Sequence, residues 1–102
     1  MVERYRQTGG ARLDGVNASW RFAKLSVSEQ ALGISVFGRE YVFPREAITR
    51  LSEHRGFVST GLRIEHRAAR APGLVVFWAS VGRARFARLA TELERRGYAV
   101  VR

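Results

Sequence analysis

The chain has no cysteine, a single lysine (Lys24), a single aspartate (Asp14) and two histidines (His54 and His66). Without thiols it can build neither a disulfide framework nor a thiolate metal site, which suits a reducing compartment. Long apolar runs are missing too. The longest uncharged stretch, Ala71 to Gly82, falls far short of the ~20 apolar residues that span a bilayer. Met1-Val2-Glu3-Arg4-Tyr5-Arg6 lacks the apolar region of a secretory signal. These absences predict a soluble, cytoplasmic protein. Nucleotide-binding glycine motifs are also missing. Gly56-Phe57-Val58-Ser59-Thr60-Gly61 does not match a nucleophile elbow, because its first glycine comes one residue too early for G-x-S-x-G.

What is present is a strongly basic chain of 102 residues, with 18 Lys and Arg against 9 Asp and Glu and a formal net charge of +9. Such an excess speeds encounter with nucleic acid, anionic membrane or acidic protein. Because all but one of the cations are arginine and alanine is plentiful, codon usage in a GC-rich genome is an equal explanation. A hydrophobic fraction of 46 % excludes disorder, and the length suits one domain.

The organising stretch is Gly73 to Gly97. Leu74-Val75-Val76-Phe77-Trp78 reads as a strand buried on both faces, running through Ala79-Ser80-Val81-Gly82 into an amphipathic helix over about 81–96. Phe86, Leu89, Ala90 and Leu93 fall at i, i+3, i+4 and i+7 and make its apolar stripe. Ser80 is the expected N-cap and Gly97 the left-handed residue that stops the helix. Glu92 and Arg96 are spaced for an i,i+4 ion pair. Tyr98-Ala99-Val100-Val101 can return as a short strand.

Before that stretch the chain reads as short strands and turns. Residues 1–10 are expected as a flexible lead-in, broken by Thr8-Gly9-Gly10, and Ala11-Arg12-Leu13 as a short edge strand. Arg4, Arg6 and Arg12 could form an arm for an anionic partner. Trp20 and Phe22 take one parity and Leu25 and Val27 the other, so a β-bulge is expected near Ala23-Lys24. Leu32, Ile34 and Val36 alternate cleanly, Gly38-Arg39 turns the chain, and Tyr41-Val42-Phe43 is stopped by Pro44. Further strands are expected from Ile48 towards His54 and over Leu62–His66, with Gly56–Gly61 a bent connection or very short strand. The outcome is a mainly β single domain over 11–102, with six or seven antiparallel strands capped by one C-terminal helix.

This order of elements resembles a bacterial pleckstrin-homology-like (GRAM-like) domain over about residues 11–97. The features that carry the likeness are Ser19-Trp20, Tyr41-Val42-Phe43-Pro44 followed by Ile48, Gly61-Leu62-Arg63-Ile64-Glu65-His66, and Leu74-Val75-Val76-Phe77-Trp78 before the helix. The resemblance implies a split barrel of two nearly orthogonal sheets with the helix plugging one open end. It also implies a binding module able to associate through strand edges. Family members that hold phosphoinositides use a basic motif across the first two strands. Here Lys24 is followed by Ser26-Val27-Ser28-Glu29-Gln30, with no basic pair.

The candidate anion or partner site is a set of arginines: Arg63, Arg67 and Arg70 on a strand and the loop after it, and Arg83, Arg85 and Arg88 at the start of the helix. Their guanidinium groups suit phosphate or carboxylate if they converge. The repeated tripeptides Glu53-His54-Arg55 and Glu65-His66-Arg67 would bring the two histidines opposite each other if the chain folded back around Thr60. Two histidines remain a thin metal-ligand set, so no metal or cofactor is expected. A Ser-His-Asp site can be imagined from Ser59, His66 and Asp14, but geometry and not inventory makes a triad. Trp20, Phe22, Phe77, Trp78 and Phe86 sit at core parity, which argues against a base-stacking platform. The functional expectation is a non-catalytic module for protein–protein or self-association. The alternative is an arginine-rich electrostatic binder of nucleic acid or anionic membrane.

Overall fold

Alternation over Leu25, Val27, Leu32, Ile34, Val36 and Phe43 dictates strands with one buried face, and all six side chains are in the core. A computed structural model describes residues 4–56, 59–69, 71–81 and 84–102, with backbone alone for 80, 81 and 84. In chain order the elements are β1 (Tyr5–Leu13), β2 (Val16–Val27), β3 (Ala31–Val36), β4 (Arg39–Pro44), a 3-10 turn (Arg45–Ala47), β5 (Ile48–Arg55), β6 (Ser59–His66), β7 (Val75–Val81), α1 (Ala84–Arg95) and β8 (Val100–Val101). The strands form one curled half-barrel in the order β4-β3-β2-β1-β7-β6-β5-β8. The pairs are antiparallel except that of β5 with β8. No helix among the described residues is long and apolar enough to cross a membrane.

The concave face holds the core. Phe86, Leu89, Ala90 and Leu93 of α1 are buried there among side chains of both halves of the sheet. Burial of each large apolar side chain contributes about 1.5–3 kcal/mol, so this stripe attaches the helix. The helix ends in a Schellman arrangement: the Tyr98 N–H donates to Leu93 O and the Gly97 N–H to Glu94 O, with Gly97 at φ +89°. The spacing that predicts the helix therefore fixes its apolar face and its end. Its start differs. Ser80 and Val81 complete β7, α1 begins at Ala84, and Gly82 and Arg83 lie outside the described residues.

The N-terminal expectation needs correction. Tyr5–Gly10 belongs to β1, which lies between β2 and β7. The two glycines that read as a break are required by close approach. A Cβ on Gly10 would sit 2.7 Å from the Ala18 carbonyl oxygen, and one on Gly9 would collide with the Phe77 ring and the Trp78 carbonyl. The described strands number eight, against six or seven expected, because the short edge strand at Ala11–Leu13 extends back to Tyr5 as a full member of the sheet and Val100–Val101 adds another. Ser59–His66 is one strand, and Phe57 and Val58 lie outside the described residues.

The expected bulge exists, earlier and larger than its parity slip implies. Gly9 pairs with Ala23 and Ala11 with Ala18, so Ser19, Trp20, Arg21 and Phe22 of β2 stand opposite Gly10 alone. Arg21 takes φ +73° to make that step. A second irregularity sits at the centre of the sheet. β1 pairs with β7 only through Gly10–Leu13, while Ser59 and Thr60 of β6 take up Val81 and Ser80 of β7. The β7 side of Tyr5–Gly9 therefore has no strand partner among the described residues, and the sheet opens into two wings there.

Candidate functional site

The expected arginine face does not assemble from all its members. Arg63 is exposed on the outer face of β6, where it and Arg12 flank buried Val76 in register. Their aliphatic stems are placed to shelter that valine. Arg67 donates through Nη2 to Glu46 O at 3.0 Å, and its N–H to Ala47 O, fastening the end of β6 to the 3-10 turn. Arg85 and Arg88 are exposed on α1. Arg70 and Arg83 lie outside the described residues.

The histidines are also separated. In the β5–β6 register His54 faces Gly61 and His66 faces Ile48, because the chain reverses before Ser59 and not around Thr60. His54 packs edge-on against Trp78, with ring centroids 5.3 Å apart. His66 lies 4.6 Å from Phe43; its Nδ1 accepts from the Ala68 N–H, so Nε2 carries the proton and donates to Pro72 O at 2.7 Å. Ser59 is at the far end of the same strand from His66. The Asp14 carboxylate accepts from the Gly73 and Leu74 N–H groups. The three residues of a Ser-His-Asp set therefore stand apart, with His66 and Asp14 each holding a backbone segment.

Two surface features gather charged or aromatic side chains. The first is a cleft of about 440 Å3 where β1 and β7 part, lined by Tyr5, Arg6, Gln7, Thr8, Arg85 and Arg88. Arg6, read from the sequence as part of a loose arm, thereby joins two of the expected helix arginines. The Tyr5 hydroxyl donates to Gln7 Oε1 at 2.8 Å, and the Gln7 amide reaches Ala79 O. Burial raises the Tyr5 pKa above its ordinary value, while the positive charges of Arg88 and Arg85 pull the other way. A smaller depression of about 220 Å3 on the outer face shares Arg6 and adds Arg4 and Lys24 beside Ser26, Ser35 and Glu40.

The second feature is aromatic. Trp20 and Phe22, expected in the core, are 52 % exposed each, and Phe37 is 66 % exposed. The protruding segment Ser19–Phe22 holds the first two. Phe37 occupies the two-residue turn between β3 and β4, with φ +49° followed by Gly38 at +82°, as a type I′ turn demands. Phe22 and Phe37 lie with ring centroids 5.8 Å apart. Beside them runs an apolar groove of about 330 Å3, lined by Leu13, Val16, Val36, Phe37, Tyr41 and Pro72 among others and edged by Arg39 and by Asp14, whose carboxylate is taken up by the Gly73 and Leu74 N–H groups. Parity misses this surface because the bulge resets it. The usable signal is Phe37-Gly38 between Val36 and Arg39, a turn that places a large aromatic where glycine or asparagine is ordinary. Trp78, also expected in the core, is half-buried on the outer face over Gly61, whose absent Cβ would meet its ring at 2.9 Å. Phe77 and Phe86 are in the core as expected.

No protein-family model matches this chain, and no curated protein matches it significantly.

Proposed function

We propose that this chain is a non-catalytic binding module of pleckstrin-homology-like architecture that takes an acidic, partly apolar segment of another protein on its Trp20, Phe22 and Phe37 surface. The exposed Phe22–Phe37 pair at an apolar groove, with exposed Trp20 on the same bulged segment as Phe22, carries the reading. Tryptophan, phenylalanine and arginine are enriched where protein interfaces bury their anchors; Arg39 edges the groove, and exposed Arg21 lies between Trp20 and Phe22 in the chain. A left-handed phenylalanine costs about 1–2 kcal/mol and persists where the surrounding structure and function maintain it. The architectural part is supported by the run of four strands, then three, then the helix on the concave face.

An acidic partner is favoured over a second copy because each copy carries +9. Like-charged copies repel, so self-association would strengthen as salt screens the charge, whereas an acidic partner would be held more weakly. Selection from a random peptide library against the native chain tests the reading, with the triple variant W20S/F22S/F37N as counter-target. Acidic peptides with apolar anchors that bind the native chain alone are expected. Enrichment of peptides that bind both forms equally would overturn the proposal, and a salt-promoted dimer lost in the triple variant would assign the surface to a second copy.

A further inference from the structure

We propose that the cleft between the N-terminal half of β1 and the first turns of α1 binds a small phosphorylated ligand through Arg6, Arg85 and Arg88. This site lies at the Tyr5 end of β1, away from the Trp20 surface, so neither proposal depends on the other.

The cleft exists because β1 and β7 pair only through Gly10–Leu13. Over Tyr5–Gly9 the β7 side of the strand has no strand partner among the described residues, and α1, which follows β7, brings Arg85 and Arg88 to the opening. One helix turn separates these two arginines, so both present guanidinium groups to the same side. Gln7 contributes an amide from the concave side, and Arg6 and Thr8, whose register partners Ser26 and Lys24 set them on the outer face, line the cleft along the open edge of β1. The guanidinium groups of Arg85 and Arg88, with Arg6 at the rim and the Gln7 amide beside them, match the oxygens of a phosphate, which accepts bidentate pairs.

None of the three arginines makes an ion pair among the described residues. The one carboxylate that Tyr5 feels, Glu92, is already engaged by Arg96 at 2.7 Å and Arg95 at 3.4 Å. The cleft therefore keeps net positive charge. Its volume of about 440 Å3 falls within the range of small-molecule sites, roughly 300–1,000 Å3. A solvated polar surface would not require the sheet to part beneath it, nor would it gather three cations without a close ion pair from two elements, although Glu92 partly offsets the Arg88 charge.

Isothermal titration of the native chain with pyrophosphate at constant ionic strength tests the site. The variants are R85Q/R88Q, R6Q, and R12Q/R63Q as a charge-matched control on the outer face; thermal melts confirm that each is folded. Pyrophosphate is expected to bind the native chain and R12Q/R63Q alike, and to lose at least about tenfold in affinity with R85Q/R88Q. Saturation should also raise the pH at which Tyr5 ionises, because the anion offsets Arg88 and Arg85. No pyrophosphate binding by the native chain would overturn the proposal. So would equal weakening by both double variants, or a single-stranded oligonucleotide or phosphatidylserine vesicles binding with that same indifference, since each points to diffuse charge.

Discussion

The guanidinium carbon of Arg45 lies 4.7 Å from the centroid of the Tyr98 ring. The same side chain donates to Glu29 O, Arg96 O and Gly97 O, while the Tyr98 hydroxyl donates to Ser28 O at 2.7 Å. Together they fasten the end of α1 to the β2–β3 turn and so hold the helix across the concave face. Arg45 here is a structural clamp and not an anion ligand, which is why its charge belongs to none of the proposed sites.

Replacing Arg45 by methionine keeps some of its bulk and removes the clamp. The Tyr98 pKa is raised by burial and held back by the Arg45 charge, so R45M should move it higher still. Stability that depends on neutral Tyr98 is fully present below the ordinary tyrosine value and is lost as pH climbs through the raised one. A loss of about 1–2 kcal/mol is expected in urea denaturation at neutral pH, with a later phenolate transition in the ultraviolet.

Glu92 supplies the acid-side counterpart. The hydrogen bond from Arg96 lowers its pKa below the ordinary carboxylate value, against the opposing effect of burial. The pair's stabilisation is therefore complete above the unfolded value and fades as pH falls through the lowered, folded one. In R96Q, the Glu92 side-chain resonance should titrate at higher pH than in the native chain; an unchanged midpoint would remove Arg96 as the cause.

Gly10 makes room for the backbone that presents Trp20. A methyl group there would sit 2.7 Å from Ala18 O and 3.2 Å from the Trp20 nitrogen. G10A should cost about 1–3 kcal/mol in stability, since backbone cannot yield as a flexible side chain can. It should also weaken partner binding at Trp20, whereas L93A should lower stability by about 2–5 kcal/mol and leave the aromatic surface in place.

Phe37 is expected to show opposed effects on stability and binding. Asparagine tolerates φ +49° far better than phenylalanine, so F37N should gain up to about 1 kcal/mol in stability while losing affinity for the partner. Loss of both stability and affinity would mean that the ring's packing on Phe22 outweighs its backbone strain.

The sequence makes the helix legible from period, β3 and β6 from alternation and β7 from its continuous apolar run, because each obeys a local rule that burial enforces. Gly97 and the Glu92–Arg96 pair follow from the same rules. Three features escaped. The β1 strand was hidden by Gly9 and Gly10, whose role is to admit the Phe77 ring and the β2 bulge, both remote in sequence. Trp20 and Phe22 kept a core-like parity that a bulge with three extra residues turned outward. Arg6 and Arg85 are brought together by the parting of β1 from β7, a register decision that no single segment encodes. The histidine pairing failed for the same reason, since strand register depends on where the chain reverses.

The most direct measurement is calorimetric: titrate the strongest library-selected acidic peptide into the native chain and into W20S/F22S/F37N, at low and at high salt. Binding to the native chain that weakens with salt, and is abolished in the folded triple variant at both salt levels, is the expected result. Equal binding to both forms would contradict the central claim and return the interaction to the chain's overall charge.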